Sequence, residues 1–344
     1  MMSKKFIKKI LALSLIVLLI VAIAGCGNDN AKKDGNNPST KDGKITIRVG
    51  HVLAPDHTYN LALNHFAELV SKKTNGKVEV KVFPSSQLGN ERDLVEGMQV
   101  HTVEMGLIST GPISGFVPEI MLLDLPYLFR DQAHAYKVLD GEVGDMINKK
   151  MLDAGIRNLA WWDQGFRSVF NTKRPINKPE DMSGIKIRVM ENPLMIDTFN
   201  IMGASSTPMA WGEVYTALQQ KTIDAAEGAM ETAYTGGFAE VTKYLSMTKH
   251  FYSGVPLLID EKFFQGLPED IKKALQEAAV EGRDYERKLL QSREQEMLAK
   301  IKEKGVEVNT PDLEPFRKAV QPLYDKYAQK VGGKDLIQKV IDTK

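Results

Sequence analysis

Cysteine is almost missing: the 344-residue chain has one, Cys26. A lone cysteine can form neither an internal disulfide nor a cysteine-built zinc site. Charge of one sign is missing too. Lys and Arg number 45 against 44 Asp and Glu, a formal +1, so there is no basic signature of nucleic-acid binding. The six histidines, at 51, 57, 65, 101, 134 and 250, show no metal-ligand spacing. The chain has no nucleotide-binding glycine loop and no HExxH. Ser246 and Lys249 match SxxK, but a two-residue match without its companion motifs is near chance. No period of 20–50 residues marks a solenoid. Together these gaps leave no catalytic constellation, no resident metal and no cofactor to expect. A hydrophobic content of 43% with 26% charged residues is that of a globular chain. At about 150 residues per domain, the length fits two domains.

Long apolar runs are also scarce, and the one present stands at the start. Lys4, Lys5, Lys8 and Lys9 precede the run Ile10–Ala24, broken by Ser14. Fifteen residues reach about 22 Å, short of a bilayer core of about 30 Å. Residues 1–25 therefore read as a secretory signal. The run ends Ile23-Ala24-Gly25-Cys26, which resembles the lipobox of bacterial lipoproteins, with Cys26 the lipidated residue. Residues 27–43 hold no large apolar side chain and cannot offset their ordering entropy by burial. With Cys26 they read as a flexible tether. Removal of residues 1–25 leaves 41 basic against 44 acidic residues. An acid would then be held by local cations and not by the global field.

From Lys44 the pattern is α/β. Lys44–Val49 alternates at period two, Tyr59–Lys73 repeats at helical spacing, and Val78, Val80 and Val82 alternate again. A helix from about Glu91 to His101 and a strand at Val103–Ile108 follow. This succession implies a mostly parallel sheet flanked by helices. It restarts after Trp161, with a strand at Ile185–Val189 and helices at Pro193–Met202 and Trp211–Gln220, a second unit between about Gly165 and His250. Pro268–Lys304 reads as one long helix. Ile271, Leu275, Ala278, Gly282, Tyr285 and Leu289 share a face that Met297 and Ile301 continue, and Gly305 supplies the stop. Such a helix is longer than one small domain and fits a span across two lobes.

Three residues stand out for acid binding. Arg188 lies within a strand, where a guanidinium offers a fixed fork to a carboxylate; a solvated edge arginine is an equal alternative. Arg167 follows Trp161, Trp162 and Phe166, which can form a cleft wall or core. Trp211 can stack on a ligand or fill the core, the commoner fate of a lone Trp.

A resemblance bears on these alternatives. Arg174-Pro-Ile-Asn-Lys-Pro-Glu-Asp-Met-Ser-Gly-Ile-Lys-Ile-Arg-Val189 resembles the characteristic segment of DctP-type solute-binding proteins of TRAP transporters. The likeness continues through Gly203-Ala-Ser-Ser-Thr-Pro-Met-Ala-Trp-Gly-Glu-Val-Tyr-Thr-Ala-Leu218. Ser86-Gln-Leu-Gly-Asn-Glu-Arg92 and Asp124-Leu-Pro-Tyr-Leu-Phe129 are similar to family segments as well. The resemblance implies a two-lobed, periplasmic-binding-protein-like α/β fold, with the ligand cleft between lobes and the long helix across both. Residues 44–164 and 254–293 would form lobe I, and 165–253 and 294–344 lobe II. It implies an extracytoplasmic receptor, not an enzyme, that hands a small organic acid to the membrane subunits of a TRAP permease. The alternatives are a C4-dicarboxylate or other carboxylate receptor of the same family, or a sensory binding protein on the same fold. By similarity Arg188 pairs the ligand carboxylate, Arg167 is a second binding arginine, and Trp211 lies under the ligand. Asn90, Glu91, Ser109, Thr110 and His57 occupy pocket-facing segments.

One departure matters. Where many members carry Asp-Gly-Gln-Glu-Asn-Pro, this chain reads Asp224-Ala-Ala-Glu-Gly-Ala229, so Gly228 replaces a ligand-binding Asn. The exchange implies a bulkier acid, or a polar contact from Glu227 or Glu231 that favours a sugar acid or hydroxy acid over a C4-dicarboxylate.

Overall fold

The computed structural model describes residues 40–41 and 44–344. The leader, Cys26 and most of the expected tether lie outside the described residues. Among the described residues ten strands form one sheet: β1 (Thr40–Lys41), β2 (Lys44–Gly50), β3 (Val78–Phe83), β4 (Met105–Leu107), β5 (Ile156–Asn171), β6 (Lys186–Val189), β7 (Ser205–Pro208), β8 (Ala225–Gly228), β9 (Tyr244–Asp260) and β10 (Glu307–Asn309). The order is β1-β2-β4-β9-β5-β8-β6-β7, with β3 beside β2 and β10 beside β9. β1 pairs antiparallel with the start of β2, so pairing begins inside the stretch expected to be tether.

The sheet is mixed where the sequence pattern implied a mostly parallel one. β2 with β3 and β4, and β6 with β7 and β8, are parallel as expected. β5 and β9, of 16 and 17 residues, run antiparallel to each other. They are buried along nearly their whole length, so they carry no inside–outside alternation for a period-two reading to find.

These two strands also make the fold two-lobed. Leu257–Ile259 of β9 pairs with β4, while Ser168–Asn171 of β5 pairs with β8 and Tyr244–Ser246 of β9 with β10. One lobe is built on β2–β4 and the other on β6–β8, with the β5–β9 pair passing between them. Their register slips between Asp163 and Gly165 and again between Arg167 and Val169. Such bulges bend a strand and re-aim its side chains.

The helix Glu269–Glu303, of 35 residues, is about 52 Å long at 1.5 Å per residue. It places Ile271, Leu275 and Ala278 in the core with Ile47, Phe66 and Trp162, and Ile301 in a second core with Phe170 and Phe238. Gly282 marks close packing, since an added Cβ would lie 3.0 Å from Trp162 Cζ2. The expected face does not hold throughout. Tyr285 is 41% exposed, and the buried stripe passes to Glu286, Leu290 and Met297. A seven-residue repeat drifts about 20° per heptad on a straight helix, and over this length the drift moves the face.

Candidate functional site

The parallel strands of both lobes end at the same place. β2 leads to Val52 and Leu53, β4 to Ser109, β6 to Met190 and β8 to Thr232, and all of these line one small cavity. Open α/β sheets bind ligands at the carboxyl ends of their strands. The helices that follow begin there as well: Thr58–Lys73, Glu91–Gln99, Trp211–Gln219 and Met230–Thr235. Their amino ends present Tyr59, Glu91, Trp211 and Thr232 to the cavity. Helix amino ends favour anions.

Arg167 is fully enclosed, 1% exposed. Its Nε donates to Glu227 Oε2 at 2.5 Å and its Nη2 to Oε1 at 2.8 Å, a bidentate pair. Nη1 donates to Gln164 Oε1 at 2.8 Å. His250 Nε2 donates to Glu227 Oε2 at 3.3 Å, while its Nδ1 accepts from the Thr248 hydroxyl. Burial alone would push Glu227 up. The Arg167 charge and the His250 hydrogen bond outweigh it and hold Glu227 far below the usual carboxylate range. Burial lowers His250, which stays neutral.

Arg188 is 2% exposed, so the solvated-edge alternative does not hold. Its Nε donates to the Met209 carbonyl at 2.8 Å. Its Nη1 is buried without a hydrogen-bond partner. Burial pushes it down to about 10, still charged at neutral pH. A buried, charged donor left unmatched is costly, and Arg188 lines the cavity. The ring of Trp211 lies 6.0 Å from the guanidinium carbon and lines the same cavity; its inner side packs on Phe238 at 5.3 Å. Trp211 is thus both wall and partial core.

The residues matched by the family model for bacterial extracellular solute-binding protein family 7, DctP, are 49–330. This chain belongs to the DctP family. Among relatives of this DctP-family chain, the 2,3-diketo-L-gulonate-binding periplasmic protein YiaO of Escherichia coli (strain K12) is 36% identical over 298 residues, 86% of this chain and 91% of that one. A TRAP periplasmic solute-binding protein of Polaromonas sp. JS666, solved bound to D-erythronate, superposes with a TM-score of 0.85 at 37% identity, covering 87% of this chain and 99% of that one. Another, from Sulfurospirillum deleyianum and solved with succinate, gives 0.83 at 36% identity over 87% and 99%.

Within this DctP-family fold the other expected residues fall into three groups. Glu91 and Ser109 line the cavity, with the Ser109 N–H donating to Glu91 Oε1 at 2.7 Å. Asn90 lies at its edge beside Arg188 and Trp211. Gly228 adjoins it: an added Cβ would meet only Arg167 Nη2, at 4.0 Å. Three residues stand behind the wall. The Thr110 hydroxyl donates to Asp124. His57 caps its helix through Nδ1, and its Nε2 meets the Thr232 hydroxyl at 3.1 Å. Glu231 accepts from the Thr58 N–H and pairs with Arg293 at 3.0 Å. Both Glu227 oxygens are engaged by Arg167 and His250, so Glu227 serves the arginine first.

Three contributors were not anticipated. Tyr59 lines the cavity with a buried hydroxyl that has no partner, and Gln164 steadies Arg167. Asp124 accepts from Thr110 and from Asn192 Nδ2 at 2.5 and 2.7 Å. Burial pushes it up to about 7. Tyr59 repeats as an ordinary apolar helix position, and nothing in spacing marks its hydroxyl. A larger recess lies beside Asp140, Arg157 and Arg283. Its arginines are already paired with Glu261, Asp140 and Asp284, which leaves it no cation in reserve. Among the described residues no helix is long and apolar enough to cross a membrane.

Proposed function

We propose that this chain is the extracytoplasmic receptor of a TRAP-type secondary transporter and captures a small organic acid, a sugar acid or hydroxy acid in preference to a C4-dicarboxylate. The observation that carries this reading is Arg188: a buried guanidinium at the cavity wall with Nη1 unpartnered. A ligand carboxylate supplies the missing acceptor. D-erythronate in one relative's structure and succinate in another are carboxylates of the right size class. Arg167, Trp211, Ser109 and Asn90 complete the pocket, and the space beside Gly228 takes the bulkier end of the ligand.

Capture works by closure. Lobe I comprises residues 44–164 and 254–293, and lobe II residues 165–253 and 294–344. The register slip at Asp163–Gly165 supports a hinge there. Contacts across the cleft, His57 with Thr232, Thr58 with Glu231 and Asp124 with Asn192, hold the closed form. Ligand favours that form only through its higher affinity for it. The loaded receptor delivers its acid, chemically unchanged, to the permease subunits. Cys26 carries the lipid that anchors it to the membrane, on the outer face or in a periplasm.

Thermal shift of the chain from residue 27 onward, against a panel of organic and sugar acids, tests the reading. A ligand at a hundred times its dissociation constant adds about 2.7 kcal/mol. A shift with at least one hydroxy acid, absent in Arg188→Ala, is expected. No shift with any acid defeats the proposal.

A further inference from the structure

Ionic side chains are few in the cavity wall. They are Arg167, Arg188 and Glu91. Arg167 is neutralised by its bidentate pair with Glu227. Two opposite charges remain, Arg188 on the β6–β8 lobe and Glu91 on the β2–β4 lobe, and among the described residues no ion pair joins them. A ligand that spans the cavity meets both, one with each end.

The chemistry of the Glu91 end is specific. Glu91 is 8% exposed, and its Oε1 is anchored by the Ser109 N–H. An ionised carboxylate only accepts hydrogen bonds. Tyr59, 1% exposed, lines the same cavity, and its hydroxyl has no partner. The ring packs edge-on against His57 at 4.7 Å. An acceptor-only group and an unpaired hydroxyl together describe the complement of an alcohol. A ligand hydroxyl can donate to Glu91 and accept from Tyr59. A second ligand carboxylate cannot donate, and it would set two negative charges face to face in an enclosed space, where water screens them little.

We propose that Glu91 and Tyr59 form a hydroxyl-reading pole opposite Arg188, and that the Glu91 carboxylate excludes ligands with a carboxylate at both ends. This rests on the receptor reading above and sharpens it: the ligand class is the monocarboxylate with a hydroxyl at its far end. Glu91 is the residue that sets this specificity.

D-erythronate and succinate test the point, because both have four carbons and differ at the end remote from the first carboxylate. D-galactonate extends the series in length. Calorimetry on the wild type, Glu91→Gln, Tyr59→Phe and Arg188→Ala proteins reads the selectivity. Glu91→Gln keeps the shape and an acceptor for the Ser109 N–H, and removes only the charge. The wild type should favour one of the two hydroxy acids over succinate by about tenfold or more. Glu91→Gln should weaken that acid by about tenfold and tighten succinate, so that the preference collapses. Tyr59→Phe should weaken the hydroxy acid severalfold without admitting succinate. Equal or tighter succinate binding by the wild type overturns the proposal, as does an unchanged preference in Glu91→Gln. A different result, no acid bound by the wild type or full affinity in Arg188→Ala, strikes the receptor reading itself.

Discussion

Arg167 and Arg188 border one cavity and are about equally buried, yet their surroundings differ in kind. Arg167 meets Glu227 with two nitrogens and Gln164 with a third. Arg188 has one backbone carbonyl and an orphaned Nη1. The first is a completed structural pair, placed where β5 crosses between lobes. The second is an incomplete site. Burial by itself therefore does not separate the two arginines; the unmatched donor does.

The largest effect should come from breaking the completed pair. Glu227→Ala strands the Arg167 charge, and removal of one partner of a buried pair costs ~3–5 kcal/mol. Urea unfolding should show it. Because Glu227 is held below the usual carboxylate range, its stabilisation is present above that range and is lost only as pH falls through the lowered value. Unfolding at pH 4 should therefore still report the intact pair. A Glu227→Ala protein as stable as wild type would erase the distinction between the two arginines.

Arg188→Ala should do the reverse. It removes no ion pair, so folding stability should change by less than about 1 kcal/mol, while ligand affinity falls at least tenfold, about 1.4 kcal/mol. Arg188→Lys should also weaken binding, since a point charge cannot copy the fork. Calorimetry paired with unfolding separates the two effects. A variant of Arg188 that binds normally would move the site.

The same contrast extends to the acids. Glu227 has a cation, whereas Asp124 accepts only from the neutral Thr110 and Asn192, and burial raises it to about 7. Between about pH 4, the ordinary value, and pH 7 the folded protein keeps a proton that the unfolded chain releases. Stability from this site therefore falls as pH rises. His51, lowered by burial to about 4, acts oppositely, gaining stability as pH rises towards its ordinary 6.5. Asp124→Asn removes the first contribution. Between pH 4 and 7 the variant's stability should rise more steeply with pH, by up to about 1 kcal/mol per unit. An unchanged slope would show that Asp124 is ionised throughout.

The smallest effect is expected at Gly228. An Asn has room there, with only Arg167 Nη2 at 4.0 Å from its Cβ. Gly228→Asn should leave folding intact and lower affinity for the longest hydroxy acids about fivefold, ~1 kcal/mol. Equal affinity for every length would make Gly228 neutral.

Much of the frame was legible in the chain. β2, β3 and the helices Thr58–Lys73 and Pro193–Ile201 follow from alternation or helical spacing, because each has one face more exposed than the other; β6 alternates in sequence too, although its Arg188 is buried. β5 and β9 have two dry faces and escaped. Arg188 could be named from its family-like segment, but its orphaned nitrogen could not. Asp124 opens a family-like segment, but neither its enclosure nor that of the Tyr59 hydroxyl could be read, since both look like surface groups until the fold buries them.

What the amino-acid sequence determined by itself is local: which segments bury one face, where helices start near Glu91, Pro193 and Pro268, and which family the segments around Arg188 and Trp211 resemble. Periodicity and capping act over a few residues, so a few residues suffice to read them. The tertiary structure alone decided which charges are matched. Glu227 lies 60 positions from Arg167, and Arg188 meets Glu91 and Tyr59 only around a shared cavity. Whether a buried charge is compensated depends on partners that the fold brings together from distant strands, and that pairing separates Arg167, matched by Glu227, from Arg188, left with an unpartnered donor.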